Sequence, residues 1–202
     1  MFSWEIALAI AILLLTVMLH ECAHGAVAFI RGDSTARDAG RLTLNPLKHI
    51  DWFWTVLFPA VLFISTQGRF VFGMAKPVPV NFSNLFRPKQ DMILVALAGP
   101  FANLIFATLL VWLFRLSGFH LFLIGVYFNL GLAVFNMLPI PPLDGSRILA
   151  GLLPVPLSRQ YLKLESLGFL IVIALYVSGI LYAWMIPGVN FLSALIGVPR
   201  IQ

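Results

Sequence analysis

The chain has 202 residues, 60% hydrophobic and only 10% charged, with a mean hydropathy of +0.96, which excludes an ordinary soluble domain of this size. Its formal net charge of +5 comes from basic residues scattered singly through connecting segments, a pattern that sets the topology of membrane loops and argues against a nucleic-acid surface. The single cysteine, Cys22, excludes an internal disulfide and says nothing of an oxidising compartment.

Residues 2–30 predict one helix of about 43 Å at ~1.5 Å per residue, longer than the roughly 30 Å hydrocarbon core of a bilayer. The segment starts with Glu5 and no Lys or Arg, so it reads as a retained span and not as a cleaved signal peptide. Well past its midpoint stands His20-Glu21-Cys22-Ala23-His24. Residues four apart share a helix face, so both imidazoles can hold one metal ion with Glu21 beside it, the H-E-x-x-H arrangement of a zinc peptidase. Ionisable groups in an apolar span are costly and mark function by default.

A polar loop follows over residues 31–49, with a turn and a brief strand expected in the alternation Arg41-Leu42-Thr43-Leu44 before Asn45-Pro46. His49 is expected to make a loop hydrogen bond. Residues 51–66 are apolar, interrupted by Pro59 and barely long enough to cross. Residues 68–81 contain Ala75-Lys76-Pro77-Val78-Pro79-Val80, whose spaced prolines exclude a helix and demand an extended, edge-like segment. Such a segment serves either as an added strand for an unwound substrate or as a loop brace. Clear spans are predicted at residues 92–114 and 121–135. The latter runs into Asn136-Met137-Leu138-Pro139-Ile140-Pro141-Pro142-Leu143-Asp144-Gly145, where the prolines must break it. Residues 167–186 predict the last span, and the stretch from Pro187 is assigned to no element. Trp52, Trp54, Trp112 and Trp184 flank spans as interfacial anchors. The fold class expected is an all-α polytopic membrane protein, a helical bundle with a re-entrant or extended segment and one proline-broken helix. Residues 1–202 read as one integral-membrane domain.

A catalytic zinc takes three protein ligands and leaves a place for water. Among eight acidic residues, Glu5 is four turns away, Asp33 and Asp38 lie in a charged loop, and Asp51, Asp91 and Glu165 flank apolar stretches. Asp144 sits in broken helix at membrane depth, where ion sites are often built. The alternatives are an Asp-Gly turn or a helix-start carboxylate paired with Arg147. For His20 and Asp144 to share an ion, the chain between them must cross an even number of times. Residues 51–80 are therefore expected to enter and return, leaving two net crossings. Arg31, Arg37, Arg41, Lys48, Arg87, Lys89, Arg147, Arg159 and Lys163 then share one face and Arg115 lies on the other, which makes the shared face cytoplasmic.

His20-Glu21-Cys22-Ala23-His24, Leu44-Asn45-Pro46 with His49, Gly73 through Val80, Ala98-Gly99-Pro100 with Asn103, and Asn136 through Gly145 together resemble the site-2 proteases, the intramembrane zinc metalloproteases. The resemblance implies a helical membrane core, one zinc ion held by His20, His24 and Asp144, Glu21 as general base, and Asn136 near the reacting carbonyl. It implies cleavage within or near transmembrane segments of membrane-protein substrates, in the lipid bilayer of the cell membrane, by a compact form without PDZ or CBS modules. Two other classes compete with this reading: an ion or metal transporter, for which internal repeats are missing, and a binding pseudo-enzyme, which has no need of Glu21. Oligomeric state is not legible.

Overall fold

The computed structural model describes residues 4–67 and 76–198, the side chains of Trp54 and Val56 excepted. Helix α1 spans Trp4–Ile30. A loop with the short helix α2 (Thr35–Asp38) leads to a π-helical turn at Trp52–Leu57 and helix α3 (Phe58–Ser65). Helices α4 (Pro88–Ser117) and α5 (Leu121–Asn136) follow. Beyond the proline-rich break come α6 (Asp144–Leu152), α7 (Val155–Leu162), α8 (Gly168–Val177) and α9 (Ile180–Leu195). No strand occurs among the described residues, as the fold class expected for a polytopic bundle requires. Helix α1, helix α4 and the helical stretch Val155–Val177 are long and apolar enough to cross a membrane.

The bundle is apolar outside and partly polar within. Ile6, Leu8, Ile10 and Leu13 of α1 are exposed, while Thr16, His20, Asn103 and Asn129 are buried. A bilayer removes the reason to hide aliphatic side chains, so small and hydrogen-bonding residues occupy the helix contacts instead. Asn129 on α5 donates to Thr16 Oγ1 at 2.8 Å, and a Cβ on Gly125 would strike Ile12. These matched pairs run α5 parallel to α1. Val95 and Asn103 of α4 meet His24 and His20 respectively, so α4 runs antiparallel to α1.

The chain leaves α1 and enters α4 at one end of the bundle. Phe86 N–H donates to the Arg31 carbonyl at 2.9 Å and the Arg31 guanidinium pairs with buried Asp91 at 3.0 Å. The π turn and α3 together hold fourteen residues, about 21 Å of helix and too little to cross. The segment between α1 and α4 thus begins and ends at the same end of the bundle.

Two expectations fail. Residues 41–44 form no strand; the Thr43 carbonyl is taken by side chains instead, accepting from His49 Nε2 at 2.8 Å and from Cys22 Sγ at 3.2 Å. The last span is not continuous over residues 167–186; Gly179 adopts φ +78°, a left-handed turn only glycine enters cheaply, and separates α8 from α9. From Pro187, which lies inside α9, the chain is helical as far as Leu195. Trp184 is more than an interfacial anchor, since its Nε1 donates to the Val134 carbonyl at 3.1 Å and ties α9 to α5.

Asp33 pins the end of α1 to the chain entering α4. It is fully buried. Burial alone would raise its carboxyl pKa, but hydrogen bonds from Thr35, Asn84 and the Asn81 amide outweigh that and hold it below the usual carboxylate range. The folded state thus binds this proton less tightly than the unfolded chain does. The resulting stability is fully present above the unfolded value and vanishes as pH falls through the depressed folded one. Asp33→Asn, which turns an amide toward the Asn81 N–H, is expected to cost about 2 kcal/mol at pH 7. Thermal unfolding in detergent should show the gap closing as pH drops below about 4; a gap independent of pH would sink this account.

Candidate metal centre

His20 and His24 lie one turn apart on the inward stripe of α1 that also holds Thr16 and Ala28. Asp144 opens α6, directly after the proline-broken stretch. That break reverses the chain sharply enough to push the α6 N-terminus against α1, with Gly145 so close to the Met137 and Leu138 carbonyls that a Cβ would not fit.

Three side chains converge there. His20 Nε2 is 3.2 Å from Asp144 Oδ2, His24 Nε2 is 3.3 Å from Asp144 Oδ1, and the two Nε2 atoms are 3.0 Å apart. Side-chain exposure is 5%, 12% and 16% for His20, His24 and Asp144. Arg147 does not pair with Asp144; it forms an ion pair with Glu165 at 2.7 Å. The sequence alternative of an Asp144–Arg147 pair is therefore not what the fold adopts.

The donor set suits a divalent cation. His24 Nδ1 lies 2.7 Å from the Val95 carbonyl, an oxygen that only accepts, so Nδ1 carries the hydrogen and neutral His24 presents its Nε2 lone pair inward. Asp144 Oδ2 is buried and accepts no hydrogen bond, which is costly for a carboxylate oxygen unless something else neutralises it. One ligand atom from each residue falls within a span of 4.8 Å. Gly99 on α4 faces the cluster, and a Cβ there would overlap both rings, 2.6 Å from His20 Cε1 and 2.7 Å from His20 Nε2.

Glu21 follows His20 on α1 and is held by the loop that crosses this helix. Its Oε2 accepts from the Val78 N–H at 2.7 Å, and the strap 76–80 that carries Val78 is held in turn by Arg41, whose guanidinium donates to the Lys76 and Pro77 carbonyls at 2.8 and 3.3 Å. Described residues of the expected extended segment thus link Arg41 to Glu21 of α1; Gly73 and Ala75 lie outside the described residues. The Asn136 amide donates to the Leu132 carbonyl of its own helix at 3.0 Å and keeps its second hydrogen for another acceptor. His49 makes the expected loop hydrogen bond, to Thr43. An apolar cavity of about 970 Å³ lies between α1, α4, α5 and α9, lined by Pro100, Phe101, Val134, Met137 and Trp184 among others. His20, Glu21, His24, Gly99, Asn136 and Asp144 are not among the residues that line it.

The sequence of this bundle is 39% identical over 180 residues to a Bacillus subtilis protein named "Putative zinc metalloprotease YwhC", covering 82% of the chain and 78% of that relative. The chain belongs to peptidase family M50, that of the site-2 proteases. Two proteins of the same description named Rip2 are also similar. The one from Mycolicibacterium smegmatis is 34% identical, with 88% of this chain and 69% of the relative covered, and the one from Mycobacterium tuberculosis 32%, with 98% and 77% covered. The model of Peptidase family M50 matches residues 115–179, which take in Asn136 and Asp144 but not the H-E-x-x-H helix. No solved structure matches the chain. This M50 peptidase is accordingly a multi-pass membrane metalloprotease, and the transporter and pseudo-enzyme readings fall away.

Sequence reasoning assigned no role to three α4 positions that surround the imidazoles: Val95, Gly99 and Asn103. The available signal was their spacing of four, which lines them up on one face of α4.

Proposed function

We propose that this M50 peptidase is an intramembrane zinc endopeptidase that hydrolyses peptide bonds within or near transmembrane segments of membrane-protein substrates. One zinc ion is held by His20, His24 and Asp144, Glu21 is the general base, and Asn136 stands near the reacting carbonyl. The observation that carries the reading is the convergence of two imidazole nitrogens and an unsatisfied carboxylate oxygen inside a bundle whose outer surface is aliphatic. Held by these residues, zinc would supply Lewis acidity toward water and a carbonyl.

The protein's own groups do the rest. Glu21 takes a proton from the attacking water and passes it to the leaving amine, its carboxylate aimed by the Val78 N–H. The free Asn136 amide hydrogen donates to the developing oxyanion. The aliphatic outer surface of the bundle and the apolar cavity between α1, α4, α5 and α9 suit an apolar span better than a soluble polar peptide. Residues 1–202 act as one protease domain with its site toward the cytoplasm, a reading supported by the excess of basic residues on one set of loops.

The test is cleavage of a single-span membrane protein by the purified peptidase in liposomes, with the cut mapped by mass spectrometry. Expected are fragments ending within or beside the apolar segment, lost on chelation and restored by about one equivalent of zinc. Cleavage that survives chelation, or that falls only in soluble regions far from the span, would overturn the proposal.

A further inference from the structure

Asn103 is fully buried on α4, one turn beyond Gly99. Its amide nitrogen lies 3.1 Å from His20 Nδ1, while its Oδ1 is buried with no hydrogen-bond partner. A buried amide oxygen left unsatisfied is costly, and an apolar residue of the same size would avoid that cost. The two ends of an amide are alike in size, so the group can turn by 180° within the same packing. Turned in this way, Oδ1 accepts a hydrogen from His20 Nδ1, and His20 Nε2 keeps its lone pair. In the opposite arrangement Nδ2 donates to Nδ1, and the imidazole hydrogen of a neutral ring falls on Nε2, between His24 and Asp144, where it excludes a cation.

We propose that Asn103 is a positioning residue: its amide oxygen fixes His20 as the Nδ1–H tautomer and so keeps Nε2 open toward the metal. His24 receives the same service from the Val95 carbonyl at 2.7 Å. Helix α4 thus supplies an acceptor to each imidazole, one from its backbone and one from a side chain, with Gly99 between them to leave room for the rings. Acceptors of this kind orient histidine ligands and strengthen them as donors. The inference rests on the reading of His20, His24 and Asp144 as a metal site.

The test measures zinc affinity by competition with a chromophoric chelator, and cobalt absorption spectra, for wild type, Asn103→Leu, Asn103→Asp and His20→Ala in detergent. Asn103→Leu, the same size without an acceptor, is expected to weaken zinc by about 10- to 100-fold and to change the cobalt spectrum. Asn103→Asp, which restores an acceptor, should stay within about threefold of wild type and keep its spectrum, a rescue that a packing role would not produce. Wild-type affinity in Asn103→Leu, or equal losses in Leu and Asp, overturns the proposal. Should the Leu variant fail to fold, Asn103→Ala also removes the oxygen and must show the same loss; wild-type affinity there overturns it as well. Wild-type affinity in His20→Ala would instead overturn the underlying metal-site reading, so the two failures are distinct.

Discussion

Replacing Glu21 by Gln is expected to lower the rate of peptide cleavage by about 10²- to 10⁴-fold, the usual worth of a positioned general base, or beyond detection, with bound zinc unchanged. Gln has the same length and shape, and its carbonyl oxygen can take the hydrogen bond that Val78 N–H now gives to Oε2 at 2.7 Å. The strap, the helix and the ligand set of His20, His24 and Asp144 are therefore preserved, and only proton acceptance is removed. Metal content by elemental analysis and single-turnover cleavage of a liposomal substrate are the two readouts. Undiminished cleavage would place the base elsewhere. Loss of zinc along with activity would make Glu21 part of the metal site and overturn its assignment as the base.

What was legible in the sequence follows from how far apart the cooperating residues are. H-E-x-x-H is readable because a helix alone puts positions 20 and 24 on one face, and the hydropathy of α1, α4 and α5 is likewise a local property. Asp144 was reachable over more than a hundred positions only because acidic residues are so scarce here and because the crossing count had to be even. The residues that orient the imidazoles were not reachable: Val95 and Asn103 meet them from 71 and 83 positions away, and an Asn or a carbonyl within an apolar helix carries no pattern that names its partner. The break at Gly179 was hidden for another reason. Hydropathy runs unbroken from Leu167 to Ile186, and a single glycine inside an apolar run is equally compatible with a straight helix until its φ of +78° is seen. The failed strand at residues 41–44 shows the converse. Alternation suggested a ladder, but a strand needs a neighbour, and here side chains of Cys22 and His49 reached the Thr43 carbonyl first.

Gly99→Ala carries the second large expected effect, and its two consequences have opposite signs. The added Cβ would stand 2.6 Å from His20 Cε1 and 2.7 Å from His20 Nε2, and would overlap His24 Nε2 as well. Side chains do not approach so closely, so something must shift. The rings cannot simply retreat, because the His24 ring is bonded to the Val95 carbonyl and the His20 ring to Asn103 on the same helix that brings the new methyl. Zinc affinity is therefore expected to fall by more than about 100-fold, beyond what loss of one orienting partner costs, and cleavage to fall with it. Meanwhile alanine is the better helix former by about 1 kcal/mol, which offsets part of the strain in the metal-free protein. Its unfolding midpoint is accordingly expected to move far less than the metal affinity does. Gly131→Ala is the matched control: it too lies inside a helix, but nothing comes within 4 Å of a Cβ built there. That variant should gain stability and bind zinc as wild type. If Gly99→Ala also binds zinc as wild type, the space beside this glycine is not the space the ion occupies, and the coordination assigned to His20, His24 and Asp144 fails with it.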